Sequence, residues 1–114
     1  MSLTIEQRQV EDVTVLACSG QITLGEATSE FRNRIRELLN QGVKKLVIDL
    51  GNVRYLDSSG IGELVGSYTS ASNVGAKMKL ANLTKKLHDL LSITKLITVF
   101  EVYESEEAAV ASMK

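Results

Sequence analysis

Apolar and polar positions divide this chain into short elements of two different periods. "LTIEQRQV" and "VTVLACSG" alternate or run apolar on either side of the acidic pair Glu11–Asp12, and predict an antiparallel hairpin. From Leu24 the period lengthens. Leu24, Ala27, Phe31, Ile35, Leu38 and Leu39 fall at three- and four-residue spacing, which predicts one face of a helix. Thr23, followed three residues later by Glu26, predicts a capping box at its start. Gly42 predicts its stop, in the left-handed conformation that glycine adopts without strain. "KKLVIDL" is a near-continuous apolar run, the pattern of a strand buried on both faces of a parallel sheet. Ile61, Leu64, Val65, Tyr68, and Ala71 or Ser72 then mark a second helix. "MKLANL" resumes as a strand, and Thr84 opens a shorter helix with Leu87, Leu90 and Leu91 inward. "ITVFEVY" predicts the last strand. Ser105, with Glu106 and Glu107 in the first turn, begins a final helix whose positive end suits both the cap and the acids.

Strands alternating with helices in this order predict an α/β fold, a mostly parallel mixed sheet with right-handed crossovers, an antiparallel edge hairpin and about four helices. With 114 residues, no proline and no repeat or linker-like tract, residues 1–114 are expected to form one domain. A net charge of −1 gives no basic footprint for nucleic acid, so "VKKLV" and "LTKKLHDL" are read as solvated faces. No apolar run approaches the roughly 20 residues that span a bilayer. The first residues, "MSLTIEQRQVED", lack the basic and apolar regions of a signal peptide. A cytoplasmic protein without membrane contact is expected. The single cysteine, Cys18, lies in a predicted strand and reads as a small buried side chain. One cysteine and one histidine are too few for the usual zinc site, and no cofactor is expected.

The chemistry concentrates in "VRYLDSSGIGELVG", residues 53–66, where Asp57, Ser58 and Ser59 fall between a strand and a helix. In open α/β sheets that edge is where sites are built, and a helix start stabilises a nearby anion. One reading is structural: Asp57 or Ser58 simply caps the helix. A second reading is that Gly60 and Gly62 keep the first turn bare so that a large partner can approach, at a cost of about 1 kcal/mol each against alanine. A serine nucleophile needs a base within reach. The only histidine, His88, lies in "KKLHDLL" beside Asp89, which a helix does not turn toward it, and no "GxSxG" elbow surrounds either serine. A polar-face role for His88 is the simpler reading. The stretch also lacks the lysine-ended phosphate loop and the dinucleotide glycine pattern.

"KKLVIDLGNVRYLDSSGIGELVGSY" closely resembles the signature of the STAS domain, in particular the stand-alone bacterial anti-sigma factor antagonists. The resemblance extends through "SGQITLGEATSEFRNRI", "AKMKLANLTKKLHDLLSITKL" and "VFEVYESEEAAVAS". It implies a phospho-switched binding module with no catalysis of its own. The unphosphorylated form would bind an anti-sigma factor that is also a serine kinase, freeing the sigma factor, and a PP2C-type phosphatase would restore that form. The implied phosphoacceptor is Ser58, with Ser59 as runner-up. Asp57, Ser59, Gly60, Ile61, Gly62 and Glu63 would meet the partner, with Gln21 and Thr23 on the neighbouring loop and the helix face carrying Ser67 and Ser70. Members of the family commonly carry aspartate where this chain has Thr23; threonine keeps the capping role and loses a charge. A monomer or weak dimer is expected. The alternative is a STAS subunit of a transporter ATPase or of a chemosensory or stress-signalling assembly.

Overall fold

The computed structural model describes residues 3–114. The elements are β1 (Leu3–Val10), β2 (Val13–Ile22), α1 (Glu26–Asn40), β3 (Lys45–Leu56), α2 (Ser58–Asn73), β4 (Lys77–Ala81), α3 (Lys85–Ile93), β5 (Val102–Tyr103) and α4 (Glu106–Ala111). The five strands lie side by side in chain order. β1 pairs antiparallel with β2, and every later pair is parallel. Because each crossover steps in the same direction, a single handedness puts the connecting helices on one face of the sheet. Two cores follow from the alternation along the central strands. Leu46, Ile48 and Leu50 point into the larger one, with Phe31 and Ile35 of α1, Leu64 of α2 and Leu87 of α3. Val13, Val15, Val47 and Ala81 face the other way and are covered by Ala109, Val110 and Met113. On that second face the ammonium of the buried Lys79 donates to Ser112 Oγ at 2.9 Å and lies 3.3 Å from Glu101, which ties the end of α4 to β4.

The predicted order of elements is present, and several local expectations are corrected. α1 does not begin at Leu24, and Thr23 is not its cap. The N-cap is Gly25, at φ 119°, and no side chain caps the helix. Leu24 lies outside the helix and is 78% exposed, so the inward face is Ala27, Phe31, Ile35 and Leu38. Gly42 terminates α1 as expected, at φ 90°. In "ITVFEVY" only Val102 and Tyr103 join the sheet. They pair with Leu80 and Ala81 respectively, the last two of the five residues of β4. The residues before them instead form a 3₁₀ turn at Leu96–Thr98, entered through Lys95 at φ 64°. Phe100 there turns inward, its ring 5.4 Å from that of Tyr68 in an edge-to-face contact. Thr84 and Ser105 cap α3 and α4, accepting from the amides of Leu87 and Ala108. Cys18 is buried, and burial pushes its thiol up to about 12, which leaves it uncharged and unreactive at neutral pH.

Candidate functional site: the start of helix α2

β3 runs straight into α2 through a single residue, Asp57, whose extended backbone (φ −91°, ψ −176°) makes it the N-cap. Both carboxylate oxygens are used. Oδ1 accepts the amide of Gly60 at 2.8 Å, which satisfies a donor the helix itself cannot. Oδ2 accepts the amide of Leu24 at 2.9 Å, from the loop that joins β2 to α1. The same two amides, Leu24 first and Gly60 second, hold the carboxyl below its ordinary value, because each hydrogen bond favours the charged form. Asp57 therefore does two jobs. It starts one helix and fixes the approach to another.

Since Asp57 supplies the cap, the serine hydroxyls are not needed for it. Ser58 occupies the first helical position and is exposed, whereas Ser59 is half-buried. The two glycines differ more sharply. Gly60 is buried, and a Cβ there would lie 2.0 Å from the carbonyl oxygen of Ile22. Its bareness lets α2 approach the end of β2, which corrects the expectation that it stands open to a partner. Gly62 is exposed, and a Cβ on it would meet nothing within 4 Å.

The remaining residues singled out in the sequence divide between surface and interior. Glu63 is largely covered and accepts from both Nε and Nη2 of Arg32, at 3.0 and 2.7 Å, so its charge is already paired across α1 and α2. Ser67 is buried and so leaves the expected contact face; Ser70 remains exposed. Ile61 is half-buried against the larger core. Gln21 and Thr23 are half-buried at the end of β2 and just beyond it, next to the Leu24 amide that Asp57 binds. His88 is exposed on α3, with Ser92 Oγ 3.5 Å from its Nδ1. Sequence reasoning missed the site roles of Leu24 and Arg32. For Leu24 a signal existed in Gly25, a residue suited to the turn immediately before a helix.

The family model of the STAS domain matches residues 4–109. The chain belongs to the STAS domain family. Among curated relatives, the anti-sigma-B factor antagonist of Bacillus subtilis is 30% identical over 110 residues, which cover 96% of this chain and 99% of that protein. Among solved structures, protein TM1081 of Thermotoga maritima superposes with a TM-score of 0.87 at 26% identity, covering 95% of this STAS domain and 92% of that chain. The anti-sigma factor antagonist SpoIIAA shares the fold in its unphosphorylated form, with a TM-score of 0.73 at 17% identity over 96% of each chain. Its phosphorylated form gives 0.76 at 18% identity, over 97% of this STAS domain and 100% of that chain.

Proposed function

We propose that this STAS domain is an anti-sigma factor antagonist, a binding protein switched by phosphorylation of Ser58. The observation that carries the reading is the exposed Ser58 hydroxyl at the head of a helix whose cap is already filled by Asp57. In the switching step, an anti-sigma factor that is also a serine kinase transfers the terminal phosphoryl of ATP to Ser58 Oγ, which loses its proton as ADP is released. A PP2C-type phosphatase reverses the state by hydrolysis, returning the hydroxyl and releasing inorganic phosphate.

The electrostatics support a switch that changes binding and leaves the fold alone. A phosphoryl on Ser58 adds about −1.5 to −2 charges, which the positive end of α2 accommodates. Asp57 keeps the Gly60 amide, so the new group is not drawn into the cap and stays at the surface. A kinase must bring its nucleotide phosphates to that hydroxyl. After transfer, the phosphoserine faces that same anionic site, and like charges across an interface cost several kcal/mol. Docking is lost and the anti-sigma factor is free again. The relatives named as antagonists, and a structural neighbour solved in both phosphorylation states, favour this role for the present chain. Incubating the protein with candidate anti-sigma factor kinases and ATP, then mapping phosphate by mass spectrometry, tests it. One phosphate on Ser58, absent from the Ser58→Ala variant, is the expected result. Phosphate confined to Ser59, or none with any such kinase, contradicts the assignment.

A further inference from the structure

Two aliphatic side chains project into water far more than the rest: Leu24, 78% exposed, and Ile93, 79% exposed. They differ in what holds them. Ile93 is the last residue of α3. Leu24 sits in the turn between β2 and α1, and its own amide is bound by Asp57, the residue immediately before Ser58. That bond connects positions 33 apart in sequence and fixes the backbone of Leu24 next to the phosphoacceptor loop. Gly25, at φ 119°, turns the chain at once into α1, a conformation that side-chain-bearing residues rarely adopt. The leucine is thus held in place and directed outward. A leucine left in water forgoes the gain of burial, which docking would recover. Two acids are close to it: the Asp57 carboxylate, which holds its amide, and the exposed Glu26 in the first turn of α1.

We propose that Leu24 is an apolar anchor, presented beside Ser58 by the Asp57–Leu24 hydrogen bond, and that the partner kinase receives it in an apolar pocket bordered by a cationic group that pairs with Glu26. This rests on the antagonist reading and names the chemistry of the partner's surface. The phosphoryl group and the anchor then act on one docking event from adjacent loops: the leucine supplies affinity, and the charge on Ser58 removes it.

The test uses the kinase identified by phosphate mapping, titrated in the presence of ADP against the wild-type protein, Leu24→Ala, Ile93→Ala and Ser58→Asp. Leu24→Ala is expected to weaken binding at least about tenfold, the scale of a buried leucine side chain, while Ile93→Ala stays within about twofold. Both truncations lie on the surface, so their thermal midpoints should remain within about 2 °C of wild type. Should Leu24→Ala bind like wild type while Ser58→Asp does not bind, the anchor is wrong and the switch stands. Equal weakening by both truncations also overturns the anchor. Equal binding by Ser58→Asp and wild type removes the switch reading, and the anchor falls with it.

Discussion

Two helices, α1 and α2, begin at the same end of the sheet's strands, α2 one residue after β3 and α1 after a short loop from β2, and they begin differently. α2 is capped by a side chain, Asp57 Oδ1 on the Gly60 amide. α1 starts on Gly25 with no side-chain cap, and the turn before it is held instead by the other oxygen of the same aspartate. One carboxylate therefore organises both starts, and the loops on either side of it share a fate. The lesson is that the serine-bearing first turn of α2 and the Leu24 loop are two halves of one surface, which Asp57 maintains structurally while the Ser58 hydroxyl is not needed for the cap.

The sharpest way to break this arrangement is Gly60→Ala. Its Cβ would meet the Ile22 carbonyl oxygen at 2.0 Å, a backbone atom that cannot move aside cheaply. A loss of about 3 kcal/mol or more is expected, seen as a fall in thermal midpoint on the order of 15 °C. Asp57→Ala comes next. Losing the cap should lower the midpoint by on the order of 5 °C. It should also speed hydrogen exchange at the Leu24 amide, a readout that cap loss alone would not move.

The effect of Asp57 should depend on pH. Its carboxyl is held below its ordinary value by the Leu24 and Gly60 amides, so its stabilisation is complete above the ordinary value of 3.8 and is lost as pH falls through the lowered folded value. The midpoint difference between wild type and Asp57→Ala should therefore narrow on acidification below pH 3.8. A difference that grows with acid would contradict the hydrogen-bond account. The smallest effect has the opposite sign. Gly62→Ala places a methyl group where nothing lies within 4 Å, and should raise stability by about 0.5–1 kcal/mol through helix propensity. A substantial destabilisation there would show that the two glycines are not as different as their surroundings.

This contrast also marks where sequence patterns stop being informative. Period and element order are local properties, and they gave the hairpin, the start of the central strand and the order of the helices. The apolar run ends at Leu50, however, whereas β3 continues to Leu56, and α1 starts at Glu26 rather than Leu24. Gly60 and Gly62 look alike in "SGIG" because the carbonyl that separates them belongs to Ile22, on another strand. Leu24 continued the helical spacing of α1 perfectly well. What excluded it from the helix was the next residue, Gly25 at φ 119°, which breaks the helical path, while Asp57 holds the Leu24 amide from across the fold. "ITVFEVY" had strand composition, yet its first residues are drawn into the 3₁₀ turn and Phe100 packs inward against Tyr68, so only Val102 and Tyr103 reach β4. Ser67 could have been found. It lies on the stripe of Gly60, Leu64 and Ala71 at helical spacing, and all four are buried in α2. The Asp-Ser-Ser-Gly motif was legible; the reach of its aspartate to the next loop was not.

The most direct test of the switch compares the protein before and after stoichiometric phosphorylation at Ser58, measuring kinase affinity and thermal midpoint on the same preparations. The account predicts a loss of affinity of at least about a hundredfold, with a midpoint shifted by no more than about 2 °C. Unchanged affinity, or a collapse of the midpoint on phosphorylation, would contradict it.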